Sequence, residues 1–213
     1  MDPREIRKER RREQVREEIL EATRAVLLDK GLSGLTLAAV ARRVQLTKAA
    51  LYYYFDSKEA IVFVLVQRSL DAFADVVEEA LKRAKSGVEA IEALIRTSAD
   101  YYATRKDELR LTYLVPQIGG TLTMSPESMR GVRPHNDRVY GTAAALIHKD
   151  QDAGRIPADV DGRRLAFLAH MAVLGMLTIE GLVEASDPDP LIHSHEGMVD
   201  ELVQTFTARL TVK

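Results

Sequence analysis

Between Thr36 and Glu59 the chain reads TLAAVARRVQLTKAALYYYFDSKE, and this stretch holds the residues best suited to chemistry. Thr36 and Thr47 each stand where a helix should start. A hydroxyl and free backbone N–H groups at such a point suit a phosphate oxygen. Lys48 and Lys58 offer two more cationic contacts. Tyr52 and Tyr53 carry rigid rings with a terminal hydroxyl, able to meet a sugar–phosphate edge or a thymine methyl at low entropic cost. Burying Lys48 or Tyr53 without a partner would be costly, which favours the surface for both. Together these groups describe a face for the DNA duplex rather than a catalytic centre.

The surrounding pattern supplies elements to position them. Val15, Ile19, Ala22, Val26 and Leu27 recur at helical spacing. Lys30 and Gly31 then mark a C-terminus, so a first helix is expected over about 12–30. Thr36 caps a second helix over about 37–44, with Leu37, Val40, Ala41 and Val44 inward. Gln45 and Leu46 make a tight turn, and Thr47 caps a third helix over about 48–54. Ala38, Ala39, Ala41, Ala49 and Ala50 are small where those helices must cross. Two helices joined this closely can set the second in a major groove. Leu51, Tyr54 and Phe55 read as core.

The rest of the chain is helical by pattern, with no convincing strand, so the fold class is all-α with about nine helices. Asp56 and Ser57 cap a long helix reaching about Ala84. Ser86–Glu89 is a capping box for a helix burying Ile91, Leu94, Ile95, Ser98 and Tyr102. A short helix is expected from Leu109 to about Ile118. A long one follows over about 127–152, bent or broken near Gly131–Pro134. The next covers about 159–185 and the last about 191–210, separated by SDPDP. Residues 165–183 are nearly all apolar, yet His170 and Glu180 interrupt them. They therefore read as a helix buried by its own core and a second subunit, not as a membrane span.

Composition narrows the classes. The chain has no Cys, which excludes disulfides, thiolate metal sites and thiol nucleophiles and fits a reducing cytoplasm. Its charged N-terminus has no apolar core of a secretory signal. Residues 1–58 hold 13 Lys and Arg against 9 Asp and Glu, while residues 59–213 hold 17 against 23. An anionic partner for the front end would explain this, and so would a solvated charged face. Residues 4–13, almost all charged, are expected as a frayed helix or disordered arm, either reaching a phosphate backbone or acting as a solubilising tail. No GxSxG, P-loop or GxGxxG follows a strand, so no enzyme and no cofactor is expected. His193, His195 and Glu196 lack a fourth ligand at metal spacing and read as a solvated helix start.

Residues 14–60 resemble the N-terminal DNA-binding region of TetR-family transcriptional repressors. ILEATRAVLLDKGLSGLTLAAVARRV and LTKAALYYYFDSKEAI carry the likeness. Its most specific part is Leu51-Tyr52-Tyr53-Tyr54-Phe55 followed by Ser57-Lys58-Glu59. Gln45 departs from the family's usual Gly in the turn, and Ala49 and Ala50 replace the frequent Gly and Thr. The resemblance implies a helix-turn-helix domain over residues 1–58, with Thr36, Thr47, Lys48, Ala50, Tyr52, Tyr53 and Lys58 toward DNA. It implies an effector-binding and dimerisation domain over residues 59–213. There Phe73, Tyr101, Tyr102, Tyr113, Met124, Phe167, His170 and Met171 are the candidates to line a pocket for an apolar or aromatic small molecule, though each also fits plain core packing. Leu174, Leu177, Met198, Leu202, Phe206 and Leu210 are the candidates for a homodimer interface. The implied function is a ligand-responsive regulator, most simply a repressor released from a palindromic operator. The alternative is a helical dimeric small-molecule-binding or interaction protein whose DNA-binding head is degenerate.

Overall fold

The structure is a computed structural model that describes residues 2–114, 126–181 and 194–211. No strand occurs among the described residues. In chain order the helices are α1 (Pro3–Gly34), α2 (Leu37–Arg43), α3 (Lys48–Tyr52), α4 (Lys58–Leu81), α5 (Gly87–Ala103), α6 (Lys106–Leu109), α7 (Pro126–Asn136), α8 (Thr142–Asp152), α9 (Gly162–Glu180) and α10 (His195–Ala208). Wider π-helical turns extend α6 through Arg110–Leu114 and join α7 to α8 through Asp137–Gly141.

Backbone contacts divide the chain into two compact units. One holds the residues up to Ser69 and a segment beginning at Asp107. The other holds Leu70–Lys106 and the residues from Arg130 onward. The division therefore falls inside α4, eleven residues beyond the boundary expected at residue 58. The cause is local. Ile61, Val62, Leu65 and Val66, in the first half of α4, are buried within the first unit. A polar chain ties the 107–114 segment to the same unit. Thr112 donates to the Ser69 hydroxyl at 2.7 Å, Ser69 donates to Glu108 at 2.6 Å, and Arg24 of α1 pairs with the same carboxylate.

In the first unit α1 begins at Pro3, so the charged 4–13 segment is neither disordered nor separate. It extends the helix that buries Ile19, Leu20, Ala22, Val26 and Leu27. Gly31 breaks α1 with φ +66° and ψ −175°, a backbone only glycine adopts without strain. Thr36 and Thr47 cap α2 and α3 as expected. Each hydroxyl oxygen accepts from a backbone N–H at 3.1 Å, from Ala39 and Ala50 respectively. Ser57 caps α4 in the same way, accepting from Ala60 N–H at 3.0 Å.

The turn after α2 satisfies its last carbonyls in the Schellman pattern. Leu46 N–H donates to Ala41 O at 2.9 Å, and Gln45 N–H donates to Arg42 O at 3.4 Å. That pattern needs a left-handed residue, and Gln45 supplies it with φ +56°. The same motif closes α8 with Gly154 at the equivalent place, φ +69°. Gln45 is the one non-glycine with positive φ among the described residues.

The second unit is built on α5, which packs on α8, α9 and α10. Ile91, Leu94, Ile95, Ser98 and Tyr102 are all fully buried, as the periodicity of the sequence predicts. Asp150 accepts from Gly87 N–H at 2.7 Å and from Arg155, which fixes the start of α5 against the end of α8. Pro134 does not break its helix. The chain stays helical through it and takes up the irregularity in the π-helical turn just after, where the backbone bonding shifts by one residue. Among the described residues α9 is long and apolar enough to cross a membrane by length and composition. Its Ala166, Ala169, His170, Val173, Leu174 and Leu177 are buried in the unit, as in a core helix.

Replacing Gln45 with glycine removes a left-handed penalty of about 1 kcal/mol, partly offset by a more flexible unfolded chain. Gln45→Gly should therefore unfold at higher denaturant concentration than the parent. A variant less stable than the parent would contradict the strain at this turn.

Candidate nucleic-acid interface and the buried aromatic cluster

α3 is five residues long, too short to persist alone, so its anchors decide where it points. Leu51 and Phe55 are its inward pair, with Leu51 at 1% and Phe55 at 5% exposure. Burying Leu51 alone contributes about 2 kcal/mol. With those two inward, Thr47, Lys48, Ala49, Tyr52 and Tyr53 turn outward. Tyr52 is 48% and Tyr53 63% exposed, among the most exposed large apolar side chains described. Thr36 is exposed at the start of α2, and Lys58 is half-buried at the start of α4. Ala50 is half-buried and offers only a methyl group and the N–H already bonded to Thr47.

The hydroxyl oxygens of Thr36 and Thr47 accept their cap bonds, which leaves each proton available for an outside acceptor. Lys48 Nζ lies 6.0 Å from the Tyr52 ring centroid, so a cation and an aromatic edge share one face. Two residues of this site escape a reading of the helix-turn-helix alone. The Arg12 guanidinium sits 5.6 Å over the Tyr53 ring, and Arg16 sits 4.2 Å over Phe55. Both come from α1, and their only sequence signal is a spacing of one helical turn. Lower on α1, Glu17 accepts both guanidinium hydrogen bonds of Arg68, at 2.5 and 2.6 Å. Those bonds hold the Glu17 carboxyl below its ordinary pKa.

The second unit gathers some of the expected pocket residues. Phe73 lies against Tyr101, Tyr102 and His170, with centroids 5.4, 5.1 and 4.9 Å away. Tyr140 joins them, 6.0 Å from His170, and was not among the sequence candidates. It lies in the π-helical turn, where an ordinary helical count loses register. All five side chains are buried. Phe167 touches the rim through Tyr140 at 5.5 Å but is 43% exposed, so it points away from an interior. Met171 is half-buried, Tyr113 belongs to the first unit, and Met124 lies outside the described residues.

His170 is fully buried, and burial pushes its pKa down to about 3. Its Nδ1 is 3.0 Å from the Ser98 hydroxyl, which itself lies 2.6 Å from Leu94 O. The single serine proton goes to that carbonyl, so Nδ1 carries the imidazole proton and donates to Ser98. Burial keeps the ring neutral.

The expected interface residues split. Leu174, Leu177 and Leu210 are buried within the chain, because they face its own helices. Met198, Leu202 and Phe206 are half-buried along α10. The exposed apolar residues of α9 are Phe167, Leu168 and Ile179. His195 pairs with Glu180 at 3.1 Å, and His193 lies outside the described residues.

A short helix presented beside a tight turn, with Lys and Tyr on its free face, has the arrangement of a helix-turn-helix DNA-binding head. Comparison with known proteins agrees and narrows it. Residues 19–65 match the model for bacterial regulatory proteins of the tetR family. The HTH-type transcriptional regulator Rv1816 of Mycobacterium tuberculosis is 30% identical over 144 residues, covering 67% of this chain and 56% of that protein. The chain thus spans little more than half the length of the curated relatives it matches first. FadR from Bacillus subtilis, solved in complex with stearoyl-CoA, has the same fold with a TM-score of 0.68 at 14% identity, over 91% of this chain and 98% of that one. The ketosteroid transcriptional regulator KstR2 of Mycobacterium tuberculosis gives 0.62 at 16% identity, over 93% and 95%. Residues 19–65 therefore carry the N-terminal region of the TetR family of bacterial regulatory proteins.

The pH dependence of His170 follows from its burial. Above pH 6.5 neither state binds its proton. Below that the unfolded chain takes one up and the folded chain refuses it until about pH 3, so stability falls as the pH falls through this window. Between pH 7 and 5 the loss is about 2 kcal/mol. Urea unfolding at both pH values should show this loss in the parent and its absence in His170→Gln. An equal acid response in the two proteins would contradict the assignment.

Proposed function

We propose that the protein is a DNA-binding transcriptional regulator that acts as a homodimer in the cytoplasm and is released from a palindromic operator by a small apolar effector. The observation that carries the DNA-binding part is the outward face of α3. Tyr52 and Tyr53 stay exposed beside Lys48, while Leu51 and Phe55 take all the inward positions. A degenerate head with no DNA to meet would have no reason to hold two large aromatic side chains in water. Phosphate oxygens would be met by Thr36, Thr47, Lys48 and Lys58, and base edges or thymine methyls by the first turn of α3 and its tyrosines.

Dimer formation is supported by the apolar residues that α9 leaves exposed. Leu168 and Ile179 are each about half exposed, and exposed Gly175 lies between them on the same face with open space where a Cβ would stand. Met198, Leu202 and Phe206 of α10 would complete the surface. A two-fold interface sets two recognition helices on half-sites roughly 34–36 Å apart. The apolar effector is supported by the buried aromatic cluster of the second unit and by the stearoyl-CoA bound to FadR, its neighbour in fold. α4 is the natural lever, being one helix whose first part belongs to the head and whose second part carries Phe73.

Two tests separate these parts. Lys48→Ala and Tyr52→Ala should each weaken binding to a duplex selected by the parent protein by tenfold or more, on the order of 1–3 kcal/mol per lost contact, with the thermal transition unchanged. Normal DNA affinity in both variants would overturn the α3 assignment. Leu168→Glu and Phe206→Glu should each shift the protein from dimer to monomer in light scattering. A dimer that survives both would place the interface elsewhere.

A further inference from the structure

The grip of α1 on the end of α3 assigns Arg16 a role of its own. We infer that Arg16 is the positioning residue of the recognition helix: it sets the angle of α3 and does not itself touch DNA. The inference rests on the proposal that α3 meets DNA.

Three observations carry it. Arg16 is half-buried, and its Nη1 donates to the Tyr54 carbonyl at 3.0 Å. Its guanidinium Cζ lies over the Phe55 ring, 4.2 Å from the centroid. Tyr54 and Phe55 both follow directly from the last turn of α3, with each backbone N–H bonded to Leu51 O. The carbonyls at that helix end have no intrahelical partner, and a cation there complements the helix dipole. So one side chain joins the C-terminal end of α3 to α1 through a carbonyl and a ring at once. At the other end Thr47 caps α3 through the helix's own Ala50 N–H. With Leu51 and Phe55 fixing which face of α3 is inward and the Gln45 turn fixing where it starts, the guanidinium fixes the angle at its C-terminal end.

Arg12, one turn earlier, differs. It is exposed and lies 5.6 Å over Tyr53, the most exposed aromatic side chain described. Its charge is available to a phosphate, whereas that of Arg16 is turned inward.

Lysine cannot replace Arg16 here. It keeps the charge and the reach to a carbonyl but lacks the planar group that stacks on Phe55 while donating in the ring plane. Arg16→Lys should therefore fold and lose aim. The consequence is specific to sequence readout. Non-specific binding depends on charge and ignores the angle of α3, while specific binding needs side chains within reach of base edges.

The test uses the full-length protein, a fluorescent duplex selected by the parent from a random library, and a duplex of scrambled sequence. Arg16→Lys should bind the selected duplex about tenfold more weakly, the equivalent of one base contact. It should bind the scrambled duplex as the parent does, with an unchanged slope of log affinity against log salt. Arg12→Ala should lower both affinities and reduce that slope by about one phosphate contact. A merely structural role for Arg16 would lower both affinities of Arg16→Lys together, in step with a lost folded fraction, and would overturn the inference. So would a parent-like ratio of selected to scrambled affinity, or a reduced salt slope, which would make Arg16 a phosphate contact. Failure of the parent protein to select any duplex would instead remove the DNA-binding reading, and this inference with it.

Discussion

The recognition face depends on one backbone turn. Gln45 at φ +56° lets Leu46 and Gln45 close the end of α2 on Ala41 and Arg42, and two residues later Thr47 caps α3. A right-handed residue at 45 would leave those carbonyls open and send α3 elsewhere. Thr47, Lys48, Tyr52 and Tyr53 share a face only because of that turn. The same motif at the end of α8 uses Gly154, so the chain can supply glycine where the geometry asks for it. At the turn that aims α3 it retains glutamine and tolerates the strain.

The rest of the first unit reinforces that turn. α3 contributes almost nothing to its own stability, so its direction comes from Leu51 and Phe55 below, the Thr47 cap in front and Arg16 behind. The basic segment before residue 14 is continuous with the helix that supplies this clamp. Its charges therefore sit on the helix itself, and Arg12 is carried to the Tyr53 ring.

Most of the head was legible in the sequence because its signals are local. Thr36, Thr47, Ser57 and Ser86 announce helix starts by side-chain chemistry, and all four accept the expected backbone bonds. Leu51 was legible as core from spacing and Phe55 as an aromatic that favours the core, while Tyr54, read the same way, is only half-buried. What was not legible depends on partners far apart in the chain. Arg16 meets Tyr54 across 38 residues, and Ser98 meets His170 across 72. Leu174, Leu177 and Leu210 read as interface because an apolar helix face looks the same whether its own chain or a second copy covers it. Tyr140 was hidden by the π-helical turn around it, which moves side chains off the 3.6-residue register. The unit boundary follows from the burial of Ile61, Val62, Leu65 and Val66 together with the Thr112–Ser69–Glu108 chain, whose members lie about forty residues apart.

Selection of duplexes from a random library by the purified protein, followed by footprinting of the winners, tests the central reading most directly. The account predicts a palindrome whose two protected half-sites are centred roughly 34–36 Å apart on one side of the duplex, one for each copy of α3. Enrichment of a single half-site, or of no sequence at all, would contradict it.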